Sequence, residues 1–197
     1  MSMRTLLLGM AIALASLVSA PAAVESTSSD FREIRAGDPR HTLGARVRAR
    51  AEGGFVFVEF QLEDGFHVYA LDNVDRVRSL TGEAEPRTQA STAIDLANGE
   101  VVGGIWWQPT PVDLSDAHGE IVAWGYAKSV TFVARYGAPT GPRLRLTVFA
   151  QVCSEQMCIV ARDIVLTADV LPLTRSAPEI LANLMPVKFG QGGPAPR

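Results

Sequence analysis

The chain has 197 residues, 47% of them hydrophobic, with two cysteines and a formal net charge of −3. That length supports one domain with a real core. The mild acidity argues against nucleic acid or an anionic membrane as a partner; 16 of the 18 basic residues are Arg, a skew of genome composition rather than of function.

Met1-Ser2-Met3-Arg4 is a short basic start, and Leu6 to Val18 is an apolar run too short to span a bilayer comfortably. Ala20-Pro21-Ala22 fits a small-x-small cleavage pattern, so residues 1–22 read as a signal peptide. No cysteine lies near the cleavage site to carry a lipid, and no later segment is long and apolar enough for membrane insertion. The expectation is an exported, periplasmic, soluble protein, in a compartment where disulfides persist.

Residues 23–40 are polar and Ser/Thr-rich, a flexible leader. The main domain is expected over 41–172. Leu43, Ala45, Val47 and Ala49 alternate with Gly44, Arg46, Arg48 and Arg50, the pattern of a half-buried strand. After a Gly53-Gly54 turn, Phe55 to Leu62 is apolar on both parities and suits a central strand. Phe66 to Leu71 follows the break at Glu63-Asp64-Gly65. Residues 72–100 show little periodicity and read as a long connection with at most short strands. Val101–Trp107, Ile121–Tyr126 and Ser129–Tyr136 are strand-like, separated by Pro and Gly signals. The Trp106-Trp107 pair reads as one core ring and one half-exposed ring. Seven or eight short strands and no convincing long helix predict an all-β, two-sheet β-sandwich. Beyond Pro172 the composition shifts, and 173–197 is expected to hold a short helix from Ser176 and a flexible tail.

Cys153-Ser154-Glu155-Gln156-Met157-Cys158 holds both cysteines. An alternating run, Arg143 to Val152, precedes it, and a β-rich run, Ile159 to Val170, follows. The pattern predicts a hairpin with a cysteine at each lip, within disulfide reach. So small a ring contributes only about 2 kcal/mol by loop-closure entropy. Parity sets Cys153 opposite the aliphatic face of Leu144, Leu146, Val148, Ala150 and Val152, so it is expected to be accessible. An accessible pair is exchangeable, whereas a buried one is inert. Spacing alone leaves both a redox pair and a structural clip open.

The signal peptide, the run Asp64-Gly65-Phe66-His67-Val68-Tyr69-Ala70-Leu71, the stretch Gln108-Pro109-Thr110-Pro111 and the late Val152-Cys153-x4-Cys158 hairpin together resemble the N-terminal periplasmic domain of the thiol–disulfide interchange protein DsbD. The resemblance spans roughly residues 40–172. It implies an immunoglobulin-like sandwich with one redox-active pair. Such a domain takes electrons from a thioredoxin-like domain and passes them to oxidised periplasmic proteins. It also implies a loop bearing aromatics that caps the pair. Cys158 matches the cysteine that forms mixed disulfides and Cys153 its resolving partner. Phe66, His67 and Tyr69 fall on an aromatic-rich strand near the pair, and Trp124 or Tyr126 falls near the cap. Family prolines after the second cysteine are replaced here by Ile159-Val160-Ala161. With no membrane domain in the chain, the electrons are expected from another protein, either a thioredoxin-like partner or a membrane electron transporter.

Thiol–disulfide exchange needs only two cysteines, so no metal and no organic cofactor are called for. Two alternatives belong to other classes. One is a soft-metal (copper) handling protein using Cys153, Met157 and Cys158; the other is a structural binding module whose disulfide is a passive clip. No CxxC, GxSxG, HExxH or Gly-rich phosphate loop is present. His67 on an apolar strand reads first as a packed histidine, and His41 and His118 as loop residues.

Overall fold

Alternation builds the first hairpin as expected. The computed structural model describes residues 29–37, 42–116, 118, 120–137, 139–172 and 176–188. The expected signal peptide, most of the expected leader and residues 189–197 of the expected tail lie outside the described residues. The strands, in chain order, are β1 (Arg32–Arg35), β2 (Leu43–Glu52), β3 (Phe55–Leu62) and β4 (His67–Tyr69). Helix α1 (Asn73–Thr81) and β5 (Ala93–Leu96) follow, then β6 (Val101–Gln108), β7 (Val112–Asp113), β8 (Trp124–Ala127) and β9 (Ser129–Tyr136). The cysteine hairpin is β10 (Arg143–Cys153) and β11 (Cys158–Leu171), succeeded by α2 (Ala177–Leu181) and β12 (Met185–Lys188).

Two sheets result. One runs β12-β6-β9-β3-β2, with β1 on the free side of β2; the other runs β11-β10-β4-β8-β7, with β5 beside β10. Val170 and Leu171 of β11 pair in parallel with Ala51 and Glu52 of β2 and so join the two. The chain is an all-β, immunoglobulin-like sandwich with two short helices. Its core is filled by Val47 and Ala49 of β2, Val56, Val58 and Phe60 of β3, Phe132 of β9, and Leu144, Leu146, Val148, Ala150 and Val152 of β10.

The double-sided apolarity of β3 has a structural cause. Its other parity, Phe55 and Phe57, packs with Val133 and with Ile180 of α2 in a second cluster. The C-terminal segment thus lies on the outer face of the first sheet. Pro178 stands in the first turn of α2, and the Ser176 amide donates to Glu179 Oε2 at 2.8 Å. Beyond α2, β12 adds an edge strand, pairing Met185 with Gln108 and Val187 with Trp106.

Three segments are more ordered than their sequence pattern announces. Arg32–Arg35, inside the expected leader, forms β1 and buries Ile34 against the core. Met185–Lys188, inside the expected tail, is strand β12. The expected connection 72–100 contains α1, closed by Gly82 at φ 73°, as well as β5. Only Asn73 and Val77 of α1 are buried, so the helix leaves almost no apolar period to read.

Candidate redox site

The inner parity of the hairpin anchors it. Val152 and Ile159, the neighbours of the two cysteines, point into the core beside Phe66. Gly44 of β2 passes directly beneath them: a Cβ there would lie 2.8 Å from Ile159 Cδ1, 3.1 Å from Val152 Cγ1 and 3.3 Å from Phe66 Cδ1. Glycine is what lets β2 approach the base of the hairpin. Phe66 therefore supports the pair from within the core.

The outer parity carries the cysteines. Cys153 and Cys158 face each other at the end of the β10–β11 ladder, 4.0 Å apart at Cα, and are joined by a disulfide. The intervening turn is closed by the Ser154 amide donating to the Met157 carbonyl at 2.8 Å. The ladder does contain a bulge, between Val148 and Ala150, but its extra residue is on β11, where Asp163 has φ 53°. Parity along β10 is unbroken, and Cys153 sits outside the main core as its alternation requires.

Its expected accessibility is not found. Cys153 is 1% exposed, sealed in a small cluster with Tyr69, Ala123 and Leu114. Cys158 is exposed, next to Met157 at 38%. A strand's outer parity is open to water only where nothing lies over it, and here the chain between β7 and β8 does. Leu114 donates its amide to the Ala123 carbonyl at 2.8 Å, and Asp116 to Ile121 at 3.0 Å, bracing that loop. Gly125 makes room beneath it, since a Cβ would lie 2.7 Å from Leu114 Cδ1 and 2.2 Å from the Val68 carbonyl oxygen. Leu114 and Ala123 carry no motif; only the cross-strand packing reveals them. Phe149, on the same parity as Cys153, lies under the Arg162 guanidinium, 5.5 Å from its ring centroid.

β4 lies on the other side of β10, pairing His67 with Cys153 and Val68 with Val152, and β8 pairs Ala127 with His67. Directly opposed residues project to one face of a sheet. Cys158, Cys153, His67 and Ala127 therefore form a single row. His67 Nε2 lies 3.1 Å from the Tyr69 hydroxyl, with the two rings edge to face at 5.2 Å. Burial lowers the pKa of the half-buried His67 and pushes that of Tyr69 up to about 12, because each charged form would be poorly solvated. The Tyr69 carbonyl accepts from Thr92 Oγ1 at 2.6 Å.

Trp124 and Tyr126 stand on the opposite parity of β8. Tyr126 is buried in the main core, edge-on to Phe132 at 5.8 Å, with its hydroxyl donating to the Pro109 carbonyl at 2.7 Å. Trp124 is half-buried and borders a surface cleft of about 590 Å³ with Asp72, Arg76, Leu80 and Val187. The cover over Cys153 is made by Tyr69, Ala123 and Leu114, with neither of those rings in it. Buried Asn73 ties the region together: it accepts from the Trp124 amide at 2.7 Å and donates to the Gln89 carbonyl at 2.7 Å. Among the described residues no group of three His, Cys, Asp or Glu side chains is placed to hold a metal ion. No described helix is long and apolar enough to cross a membrane.

The family model described as "Thiol:disulfide interchange protein DsbD, N-terminal" matches residues 41–168. Among curated proteins none matches. The N-terminal periplasmic domain of ScsB from Proteus mirabilis is similar in fold at 18% identity and a TM-score of 0.52, over 80% of this chain and 57% of that one. The chain thus spans less than two thirds of that protein's length. The reduced N-terminal domain of DsbD from Neisseria meningitidis aligns at 14% identity and a TM-score of 0.39, over 64% of this chain and 84% of that one. With more than half its length matched, and a disulfide closing the mouth of its late hairpin, the chain belongs to the family of DsbD N-terminal domains.

Proposed function

We propose that this protein is a periplasmic thiol–disulfide exchange module working through Cys153 and Cys158. It accepts electrons from a thioredoxin-like partner or a membrane electron transporter and hands them to oxidised periplasmic proteins. The observation that carries the reading is the asymmetry of the pair: one cysteine is exposed at the hairpin mouth and the other is sealed beneath Leu114, Ala123 and Tyr69. A passive clip has no use for such a difference. An exchange centre needs it, because an attacking sulfur must approach in line with the S–S bond and reach one sulfur only.

In the reducing direction, a partner thiolate bonds to Cys158 Sγ, the S–S bond breaks and the electron pair leaves on Cys153 Sγ. The partner's second thiolate then attacks its own sulfur in the mixed disulfide, releasing Cys158 as a thiolate. Two electrons have moved, and two protons come from solvent. In the opposite direction the Cys158 thiolate attacks an oxidised protein, and Cys153 resolves the mixed disulfide. No cofactor enters either sequence.

The test is trapping with a thioredoxin-like protein. Cys153→Ser should accumulate a stable mixed disulfide through Cys158, since no internal thiol can resolve it, and Cys158→Ser should accumulate little. Equal yields, or more from Cys158→Ser, would reverse the order of attack. Absence of adducts from both would sink the exchange reading.

A further inference from the structure

Opening the disulfide leaves charge in an unfavourable place. Cys153 becomes a thiolate at a position 1% exposed, packed against Tyr69, Ala123 and Leu114. An uncompensated anion there is costly unless it is hydrogen-bonded or protonated. The structure sets two polar groups beside it. Tyr69 packs on Cys153, and its hydroxyl lies 3.1 Å from His67 Nε2. His67 is itself the direct cross-strand neighbour of Cys153 on the same face, and is half-buried rather than sealed, so it can exchange protons with solvent.

We infer that His67, acting through the Tyr69 hydroxyl, couples proton uptake to the release of Cys153 when the disulfide opens. With His67 neutral and its one ring proton on Nδ1, its Nε2 accepts from the Tyr69 hydroxyl and holds the phenolic proton away from sulfur. Once His67 takes a proton from solvent, Nε2–H must donate to the Tyr69 oxygen. The phenolic proton is then free to turn to the Cys153 thiolate. Tyr69 does not lose its proton in this exchange; it relays a hydrogen bond, and the proton taken up is the one on His67. His67 is thus a positioning residue for Tyr69, and Tyr69 is the group that meets the leaving sulfur. The inference rests on the exchange reading given above.

The surroundings allow His67 to act as the titrating group. On this face β10 presents Cys153 and Gln151 and β8 presents Ala127 and Gly125, none of them charged. The loop over Cys153 carries Asp113, Asp116, Glu120 and His118. Asp113 accepts from the Ser115 amide, and Asp116 accepts from the Glu120 amide. Glu63 and Asp64 precede β4, and Arg46 holds Glu63 at 2.8 Å. Lys128 follows β8, and Glu155 is exposed in the hairpin turn. Burial alone lowers the pKa of His67, without a charged neighbour contributing.

The experiment is reduction of the folded domain by tris(2-carboxyethyl)phosphine between pH 4.5 and 8.5, followed by stopped flow and corrected for the phosphine's own protonation. The phosphine attacks the exposed sulfur and expels Cys153 as a partner thiolate would. The wild-type rate should rise as pH falls through the titration of His67. The rise should be about ten- to a hundredfold, what one hydrogen bond to a charged group contributes. His67→Gln keeps a partner for Tyr69 but cannot titrate, so its corrected rate should be flat with pH. Tyr69→Phe should also be flat, and slower at the acid end. Profiles of His67→Gln and His67→Phe that both superimpose on wild type would overturn the inference, while a wild-type disulfide that resists the phosphine at every pH would overturn the exchange reading and this inference with it. Circular dichroism of each variant confirms that the folded domain is what is compared.

Discussion

Cys153 and Cys158 are one bond apart and occupy opposite environments, because the cover formed by Leu114 and Ala123 reaches only the first. Leu114→Ala should loosen that cover. We expect a faster reaction of the disulfide with small reductants, at a stability cost of about 1–2 kcal/mol, less than for a fully buried leucine. An unchanged rate would show that Leu114 does not gate access. Gly125→Ala tests the same seat from below. Its new methyl would meet the Val68 carbonyl oxygen and Leu114 Cδ1. Chemical denaturation should register a loss of about 1–3 kcal/mol, as overpacking does.

At the scale of elements, the cysteine hairpin and the C-terminal segment contribute in different ways. The disulfide closes a ring of six residues, Cys153 through Cys158, at the end of a ladder already held by backbone pairing. Reduction should therefore leave the domain folded, with its melting temperature lower by about 4–8 °C for about 2 kcal/mol. Unfolding on reduction would mark a structural staple instead. Helix α2 is short, but it covers Phe55, Phe57 and Val133 on the outer face of the first sheet. Ile180→Ala should cost about 2–4 kcal/mol in a denaturant titration, because it opens a cavity over β3. A smaller loss than 1 kcal/mol would mean that α2 is not part of the cooperative unit.

For the molecule as a whole, the burial of His67 and of the tyrosines makes stability depend on pH at both ends of the range. His67 has a folded pKa below its ordinary 6.5, so the unfolded chain binds more protons between the two values. Its contribution is complete above pH 6.5 and is lost as pH falls toward the folded value; His67→Gln should flatten that part of the acid melting profile. The tyrosines act at the other end. Tyr69, Tyr126 and Tyr136 are the only three in the chain, and burial raises the pKa of each, Tyr69 to about 12. The unfolded chain therefore loses protons first, and stability falls as pH rises from 10. Tyrosinate absorbance should stay low past pH 10 and appear together with alkaline unfolding. A separate, earlier titration step would show an accessible phenol.

Local alternation marks the long strands of the sandwich and the hairpin that presents the cysteines. Alternation over Leu43–Ala51 and Arg143–Val152 is a local pattern, and it fixes which side chains face the core. It also placed Cys153 on the outer parity, because the side-chain period of a strand is two whatever lies beyond it. What that outer face meets depends on segments far away along the chain. Leu114 and Ala123 lie 30 or more residues from Cys153 in a loop without periodicity, and they bury a cysteine that parity alone would leave in water. The placement of Phe66 in the core, of Tyr126 against Phe132 rather than over the pair, and of α1, β1 and β12 on the sandwich follows the same logic. These segments have few apolar residues and are held by partners distant in sequence, such as Asn73 with Trp124 and Gln108 with the Leu71 amide. Burial and contact depend on which segments meet in space, and a periodic pattern encodes only the face that a segment turns toward them.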